Sequence, residues 1–305
     1  MPSALVNFDV ERFLREDWQR APHFIEKGLD ISNPITAEEL AGLALEVPIE
    51  SRIVKKDAQG WQSQDGPIRE QDFQHLPTSH WTLLVNAVDL WLPKVRKTYD
   101  YFDFLPSWRF DDIMVSYATK GGGVGPHFDL YDVFLVQVEG RRRWQIGQTC
   151  DESTKLNTDG GLRIMQDFQA QAEFITEPGD VLYLPPCIAH WGEALTPSIT
   201  YSVGLRSPSM AEMLADLSIE LEALGDLRHY RDPTEPNRSG DINISEATID
   251  KVQSALGEVI ADRALITDWF ARYMTRPRYP DWLDETNERR IARTGRATYI
   301  NGERS

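Results

Sequence analysis

The sequence predicts a mainly β fold, a double-stranded β-helix of the jelly-roll type with flanking helices, followed by an α-helical region. Three observations predict it. Short apolar segments rich in β-branched residues occupy the middle of the chain, glycine and proline turns separate them, and helical patterns lie on both sides. With 305 residues, of which 41% are hydrophobic, the chain can bury a large core in more than one domain.

Helical patterns come first along the chain, and we expect them to flank and support the barrel. One amphipathic helix is predicted from about Asp9, and a second after Thr36, where Thr36-Ala37-Glu38-Glu39 is a capping-box pattern. A third is predicted from about Ser79, because apolar residues recur there at helical spacing. Those residues are Trp81, Leu84, Val85, Val88 and Leu92.

A glycine-rich run from Gly121 to Pro126 precedes the sequence His127-Phe128-Asp129. If this short sequence is a strand, His127 and Asp129 project to one side, while Phe128 packs on the other. With His190 as a second imidazole, these side chains form the two-histidine, one-carboxylate ligand set of a non-haem iron(II) site. Since His-x-Asp also occurs by chance, and a single histidine is more often a core or surface residue, the neighbouring segments decide the interpretation.

The next segment predicts a hairpin. Asp132 to Glu139 is apolar and β-branched, Gly140 is at the bend, and the pattern resumes from Arg141 to Ile146. On the second strand Arg142 shares a face with Trp144, so its guanidinium points toward the apolar interior. A buried guanidinium requires an anion. The far carboxylate of 2-oxoglutarate and an internal aspartate or glutamate are both compatible with this position.

Two further strands complete the barrel pattern. Pro178-Gly179-Asp180 is a turn signal, Val181 to Leu184 is a short strand, and Pro185-Pro186 ends it before His190. Another strand is predicted from Ile199 to Leu205. Short strands at this spacing predict a jelly roll, with the metal site at its mouth.

These segments resemble the JmjC-type 2-oxoglutarate oxygenases of the cupin class, and more narrowly the bacterial ribosomal oxygenases. Those enzymes hydroxylate an arginine side chain at C3 in the sixteenth protein of the large ribosomal subunit. The resemblance covers most of a predicted catalytic domain at residues 1–208. It implies iron(II) ligands at His127, Asp129 and His190, with 2-oxoglutarate and O2 as co-substrates. It also implies that Arg142 binds the 2-oxoglutarate carboxylate, and no catalytic side chain beyond the metal centre.

One position departs from the family pattern. Relatives often carry a serine before the glycine run that helps to hold the co-substrate, whereas this sequence has Ala118 and Thr119. We expect Thr119 to provide this contact, with Tyr117 as the alternative. Three carboxylates near the site, Asp111, Asp112 and Asp132, are candidates to receive a cationic side chain, although surface or turn roles are more common for such residues.

The C-terminal third is predicted to be helical. Helical patterns cover Met210 to Leu224 and Ser245 to Met274, and the loop from Arg231 to Asp241 separates them. The resemblance implies that residues 209–278 form a dimerisation region, while packing of the apolar stripe on its own chain is the alternative. Residues 279–305 contain one strand pattern, from Ala297 to Ile300, and we expect them to be the remnant or truncated start of a winged-helix-like domain.

The composition of the chain limits the classes of partner and the cellular location that we expect. The net charge of -16 argues against direct nucleic-acid binding and favours a basic protein substrate, such as a free ribosomal protein. No apolar stretch reaches membrane-spanning length, and Met1 to Ala4 do not start a leader, so a cytoplasmic protein is expected. Cys150 and Cys187 are too few for a zinc cluster or a disulfide framework.

Other functions remain compatible with the sequence. A JmjC-like oxygenase could act on a histidine or asparagine side chain, or on a small molecule. A non-catalytic cupin could hold a metal and bind a peptide, and a metal-dependent isomerase is a further alternative. The complete ligand set and the inward Arg142 argue against the last two, because neither needs both features.

Overall fold

The computed structural model describes residues 5–31, 34–225, 229–232, 242–282 and 290–305. Most of the predicted loop from Arg231 to Asp241 and all of Met1 to Ala4 lie outside these residues. The chain divides into two compact units. The first is Met1–Ser207 with a segment that begins at Asp281, and the second is Pro208–Pro280 with the C-terminal segment that ends at Ser305.

The first unit contains an eight-stranded sheet, a three-stranded sheet and short helices. Its strands are β1 (His23–Ile25), β2 (Ser51–Asp57), β3 (Gly60–Asp65), β4 (Trp81–Val85), β5 (Phe110–Ala118), β6 (Val133–Glu139), β7 (Arg142–Thr149), β8 (Leu156–Asn157), β9 (Ile164–Met165), β10 (Ala172–Thr176), β11 (Val181–Leu184), β12 (Ile188–Ala194) and β13 (Ser198–Leu205). Its helices are α1 (Val10–Glu16), α2 (Ala37–Ala44), α3 (Glu70–Gln74), α4 (Val88–Trp91) and α5 (Pro93–Arg96).

The larger sheet has the order β1-β11-β6-β13-β5-β4-β2-β3, and the smaller has the order β10-β7-β12. Side chains of β6, β7 and β11 form one apolar cluster, which includes Leu135, Trp144 and Leu182, so the two sheets pack face to face. The opposite face of the large sheet packs on the N-terminal helices through a second cluster, which includes Phe13 and Leu40. This arrangement confirms the predicted double-stranded β-helix with flanking helices.

The first two predicted helices are confirmed. α1 begins after Asp9, whose carboxylate accepts a hydrogen bond from the Arg12 amide at 3.0 Å. α2 begins after Thr36 with the predicted capping box, in which Thr36 and Glu39 each accept a hydrogen bond from the other's amide. Both caps satisfy amides that the helix itself leaves without a partner.

The third predicted helix is wrong. Trp81–Val85 is strand β4, which pairs with β2 on one side and β5 on the other, and helix starts only at Val88. The apolar residues in this segment fit the repeat of a helix as well as that of a strand. Pairing with β2 and β5 on its two sides made it a strand. The hairpin of β2 and β3 was not predicted, because its residues are mainly charged or polar and give no apolar alternation.

The hairpin predicted at Gly140 is also wrong, although both of its strands exist. β6 lies in the eight-stranded sheet and β7 in the three-stranded sheet, so Gly140 turns the chain from one sheet to the other. Gly140 has φ 66°, and a Cβ there would collide with the Pro197 carbonyl oxygen. Glycine is therefore required at this corner.

The second unit comprises α6 (Met210–Ala223), α7 (Glu246–Ala261), α8 (Arg263–Thr275), β14 (Ile291–Thr294), β15 (Ala297–Ile300) and β16 (Glu303–Arg304). The helical pattern from Ser245 is therefore two helices, because Asp262 caps α8 by accepting from the Ala264 and Leu265 amides. The predicted strand from Ala297 is β15, the centre of a three-stranded sheet. Among the described helices, none is both long and apolar enough to span a membrane.

Candidate metal centre

The three predicted metal ligands come from two neighbouring segments. His127 and Asp129 lie in the extended chain that follows the glycine run, and His190 lies on β12. The two segments pair through a single β-bridge, in which the amides of His127 and His190 donate to each other's carbonyl oxygens at 3.0 and 2.8 Å. The predicted short strand is thus limited to this bridge. His190 lies within β12, which begins two residues before it.

The side chains of these three residues converge. Their potential ligand atoms all lie within 4.8 Å of one another, and His190 Nε2 is 3.6 Å from Asp129 Oδ2. Phe128, between the first two, packs on the opposite side with Cys150 and Ala189, as the strand alternation predicts. A converging set of two imidazoles and one carboxylate matches the donors of a non-haem iron(II) site.

The hydrogen bonds of both histidines leave Nε2 available for a metal. His127 Nδ1 is 2.9 Å from the Gly125 carbonyl oxygen, and His190 Nδ1 is 2.9 Å from the Ile188 carbonyl oxygen. A carbonyl only accepts, so each Nδ1 carries the proton and each Nε2 keeps its lone pair for a metal. Burial, together with the nearby His127, lowers the pKa of His190 to about 4. His190 is therefore neutral at pH 7, the form that ligates metals.

Arg142 lies on β7 with its side chain inside the barrel, as its parity with Trp144 predicts. It is 5% exposed, and among the described residues no carboxylate pairs with it. Burial lowers the pKa of Arg142 to about 10, so the guanidinium is still charged at neutral pH. Of the two predicted partners, an internal aspartate or glutamate is therefore not found among the described residues.

Two serine hydroxyls, which the sequence analysis did not identify, contact this arginine. Arg142 donates to Ser116 Oγ on β5 at 3.1 Å and to Ser198 Oγ on β13 at 3.3 Å. Thr119, the predicted second contact, instead exchanges hydrogen bonds with the backbone of Trp81, both at 3.2 Å. The sequence did contain a signal for Ser116. It lies two residues before Ala118, where relatives often carry a serine, and so shares its face of the strand.

Two buried donors next to each other remain without a partner among the described residues: Arg142 Nε and Trp144 Nε1. The guanidinium carbon of Arg142 is 5.7 Å from the centre of the Trp144 ring, whose own centre is 6.1 Å from that of His190. Buried donors are rarely left unsatisfied in proteins. This pair therefore fits an acceptor-rich ligand, such as a dicarboxylate, bound between the arginine and the metal ligands.

The glycine run lets the metal-binding segment pass close to other backbone. A Cβ on Gly122 would collide with the Trp81 carbonyl oxygen, and one on Gly123 would collide with the carbonyl oxygen of Gly192 on β12. Because Gly192 belongs to the same strand as His190, the absence of side chains in the run brings His127 within pairing distance of that strand.

Of the three carboxylates considered for a cationic substrate, Asp132 is excluded. It is fully buried and accepts hydrogen bonds from Tyr183 Oη at 2.6 Å, Gln19 Nε2 at 3.0 Å and an Arg109 nitrogen at 3.0 Å. It therefore anchors the chain just after the metal-binding segment. The other two are partly exposed: Asp111 is 3.7 Å from an Arg206 nitrogen, and Asp112 accepts from the Ala87 amide at 3.1 Å.

Known proteins resemble this chain over nearly its whole length. Residues 97–213 match the model of the JmjC domain. The ribosomal protein uL16 3-hydroxylase of Escherichia coli is 34% identical over 96% of this chain and 84% of that protein. A probable ribosomal oxygenase of Haemophilus influenzae is 40% identical over 68% of this chain and 52% of that protein.

Solved structures of E. coli YcfD have the same fold as this chain. The X-ray structure of E. coli YcfD superposes with a TM-score of 0.88 at 32% identity, covering 100% of this chain and 87% of that chain. The ribosomal oxygenase YcfD in complex with cobalt and 2-oxoglutarate superposes with a TM-score of 0.85 over 99% of this chain and 86% of that chain. The fold, the converging ligand set and this similarity agree, and the chain belongs to the JmjC family of 2-oxoglutarate-dependent ribosomal oxygenases.

Proposed function

We propose that this protein is an iron(II)- and 2-oxoglutarate-dependent dioxygenase that hydroxylates an arginine side chain at C3 in ribosomal protein uL16. The observation that carries the proposal is the convergence of His127, Asp129 and His190 within 4.8 Å, with the charged Arg142 buried nearby and unpaired among the described residues. The named activity of the E. coli relative supports the choice of substrate.

His127 and His190 would hold iron(II) through Nε2, and Asp129 would hold it through its carboxylate. Bound iron supplies the oxidising chemistry with 2-oxoglutarate and O2. Arg142 would bind the far carboxylate of 2-oxoglutarate as a charge-assisted pair, and the buried Trp144 Nε1, which has no partner among the described residues, would be a further donor. Thr119 remains a candidate contact, although its hydroxyl already bonds to Trp81.

The remaining contribution of the chain is orientation and exclusion of water. Ser116 and Ser198 accept from two nitrogens of Arg142 and so fix the plane of the guanidinium. The apolar cluster between the sheets surrounds this position and keeps it in a low-dielectric environment, where a charge pair is stronger than in water. No side chain has to act as a general base in this mechanism.

Tyr131 lies two residues after Asp129 and is 41% exposed. Burial of its hydroxyl and the carboxylates of Asp129, Asp112 and Asp111 raise the pKa of Tyr131, so these acidic groups lie near the ring. An exposed aromatic ring beside carboxylates suits a planar guanidinium, which can stack and pair at the same time. This supports an arginine as the modified residue.

The proposal is tested with protein loaded anaerobically with iron(II), 2-oxoglutarate and recombinant uL16, followed by air and mass spectrometry. One added oxygen on one arginine, absent in His127→Ala, is the expected result. Succinate without modified uL16 would show an oxygenase with a different substrate, such as a histidine or asparagine side chain or a small molecule. Absence of both products would favour the peptide-binding cupin.

Three further features belong to this proposal. We expect the protein to act in the cytoplasm on free uL16 rather than on RNA, because the net charge of -16 attracts a basic protein and repels phosphate. We assign residues 1–208 to catalysis and residues 209–278 to homodimer formation. We assign residues 279–305 to the remnant or truncated start of a winged-helix-like domain.

A further inference from the structure

A row of paired residues leads from the candidate active site across the large sheet. Ser116 on β5 is paired with Leu84 on β4, Leu84 with Arg52 on β2, and Arg52 with Asp65 on β3. Residues directly opposite each other in antiparallel strands point to the same face. Since Ser116 accepts from Arg142, this face is the one that looks toward the candidate co-substrate site.

A cavity of about 410 Å³ lies along this row. Its lining includes Leu84, Arg52 and Asp65, together with Met114 from β5 and the rim segment 47–50. Met114 precedes Ser116 by two residues on the same face, a distance of about 7 Å along a strand. One end of this cavity, which we call the β2–β4 groove, therefore lies close to the residues that contact Arg142.

The groove combines apolar surface with a formal charge of -1 among its lining side chains. Val47 is 79% exposed at its rim, and Leu84 and Met114 contribute further apolar surface. Its lining contains two carboxylates, Glu50 and Asp65, and one cation, Arg52, which is paired with Asp65 at 2.6 Å. The lining thus has a negative balance, complementary to a basic partner.

The position of the groove favours a protein segment over a small molecule. Its volume of about 410 Å³ is also large enough to accommodate bound side chains. A protein substrate that inserts one side chain toward the metal must also place the neighbouring residues on adjacent surface. The β2–β4 groove is such a surface, because it continues the same face of the same sheet.

We propose that the β2–β4 groove binds the segment of the basic protein substrate that flanks the hydroxylated side chain. This inference rests on the proposed function and deepens it. Apolar side chains of the segment pack on Leu84 and Met114, and its cationic side chains pair with the carboxylates of Glu50 and Asp65. The groove thereby selects the substrate protein by residues other than the one that is modified.

The first test places a photo-crosslinking benzoylphenylalanine at Val47 in the full chain. Irradiation with recombinant uL16 should give a heterologous cross-link that excess unlabelled uL16 abolishes. The same amino acid at the exposed Asp100, which is not part of the groove lining, should give none. A cross-link to a second copy of this chain, or no cross-link from Val47, overturns the inference.

The second test measures kinetics. Asp65→Lys and, separately, Val47→Lys should each raise the KM for uL16 at least about tenfold, because each adds a cation to the groove. The KM for 2-oxoglutarate should not change, and the charge-matched control Asp100→Lys should behave as the wild type. Both substituted positions are largely exposed (71% for the Asp65 side chain and 79% for Val47), so the fold should tolerate the changes.

The two proposals fail in distinguishable ways. If the wild type leaves uL16 unmodified, the proposed function fails and this inference fails with it. If the wild type hydroxylates uL16 while both lysine variants keep the wild-type KM, only the groove assignment is wrong.

Discussion

At the scale of single residues, Arg142 carries most of the functional information. Its guanidinium is buried, and its partners among the described residues are two neutral hydroxyls. Removing a charge from water costs several kcal/mol unless an opposite charge compensates it. An arginine held in this way suits a carboxylate ligand, and burial lowers its pKa to about 10.

We predict that Arg142→Met weakens 2-oxoglutarate binding at least about tenfold, since a hydrogen bond to a charged group contributes roughly 1.5–3 kcal/mol. Calorimetric titration of 2-oxoglutarate into the cobalt(II)-loaded protein, without O2, measures this affinity. Arg143→Met is the matched control, because this neighbouring arginine points away from the barrel and pairs with Glu193 at 3.1 Å. Equal affinities in the two variants would contradict the role of Arg142.

His190 gives a pH prediction for the metal-free protein. Its pKa is about 4 in the folded state, against about 6.5 in the unfolded chain, so below pH 6.5 the unfolded state binds a proton that the folded state does not. Between pH 7 and pH 5 this should lower the free energy of unfolding by about 2 kcal/mol. Urea denaturation of chelator-treated protein tests it, and His190→Gln should lose this component of the pH dependence.

At the scale of elements, the glycine run and the start of β6 hold the metal-binding segment from both ends. The run passes close to the backbones of β4 and β12, and Asp132 anchors the other end through Tyr183, Gln19 and Arg109. Because the ligand pair His127 and Asp129 lies between these two anchors, a change at either end should alter the position of both ligands.

Gly123→Ala should weaken cobalt(II) binding, because the new Cβ would collide with the Gly192 carbonyl oxygen and push the segment away from β12. Gly42→Ala is the control. Gly42 lies within α2, where nothing is within 4 Å of an added Cβ, so this change should stabilise the fold by about 0.5–1 kcal/mol. Titration should therefore show weaker metal binding in Gly123→Ala, and denaturation should show higher stability in Gly42→Ala with unchanged metal affinity. Unchanged metal affinity in Gly123→Ala would rule out the close approach as the reason for glycine at this position.

Asp132→Ala should destabilise the first unit by about 3–5 kcal/mol, because it leaves the charged Arg109 without its carboxylate in a largely buried position. The double variant with Arg109→Met should recover part of that loss. Denaturant unfolding of the wild type, Asp132→Ala, Arg109→Met and the double variant gives the coupling between the two residues. Additive losses would show that the ion pair is not the main contribution of Asp132.

At the scale of the whole molecule, the helices of the second unit expose apolar faces. On α6 Leu214 is 58% exposed, and on α7 Leu256 is 61% and Ile260 58% exposed. Among its described residues α7 has no buried position at all. Contiguous apolar surface of this kind usually marks an interaction site, which is consistent with the proposed homodimer.

We expect light scattering after size exclusion to give the mass of a dimer for the wild type. Leu214→Lys combined with Leu256→Lys should shift it to the monomer, because each lysine places a charge in an apolar interface. Glu258→Lys, also exposed on α7, should leave the mass unchanged. A monomeric wild type would contradict the dimer, and a dimeric double variant would place the interface elsewhere.

Much of the site could be predicted from the sequence because it depends on local geometry. The alternation along a strand placed Arg142 and Trp144 inside the barrel and turned Phe128 away from its neighbours. The starts of α1 and α2 depend on three or four consecutive residues, and the capping box at Thr36 formed as predicted. The sequence also indicated two of the candidate metal donors, since His127 and Asp129 are two residues apart on one face of an extended segment. His190 lies far away in sequence and meets them through the β-bridge.

Only the tertiary structure decided which strand pairs with which. Trp81–Val85 fitted a helix until β2 and β5 paired on its two sides, and Gly140 fitted a hairpin until β6 and β7 joined different sheets. The contacts of Ser116 and Ser198 with Arg142, and the row from Ser116 to Asp65, join residues far apart in sequence. Strand pairing follows from packing against such distant partners rather than from local preference, so the sequence by itself determined the chemistry of the site, and the fold determined its surroundings.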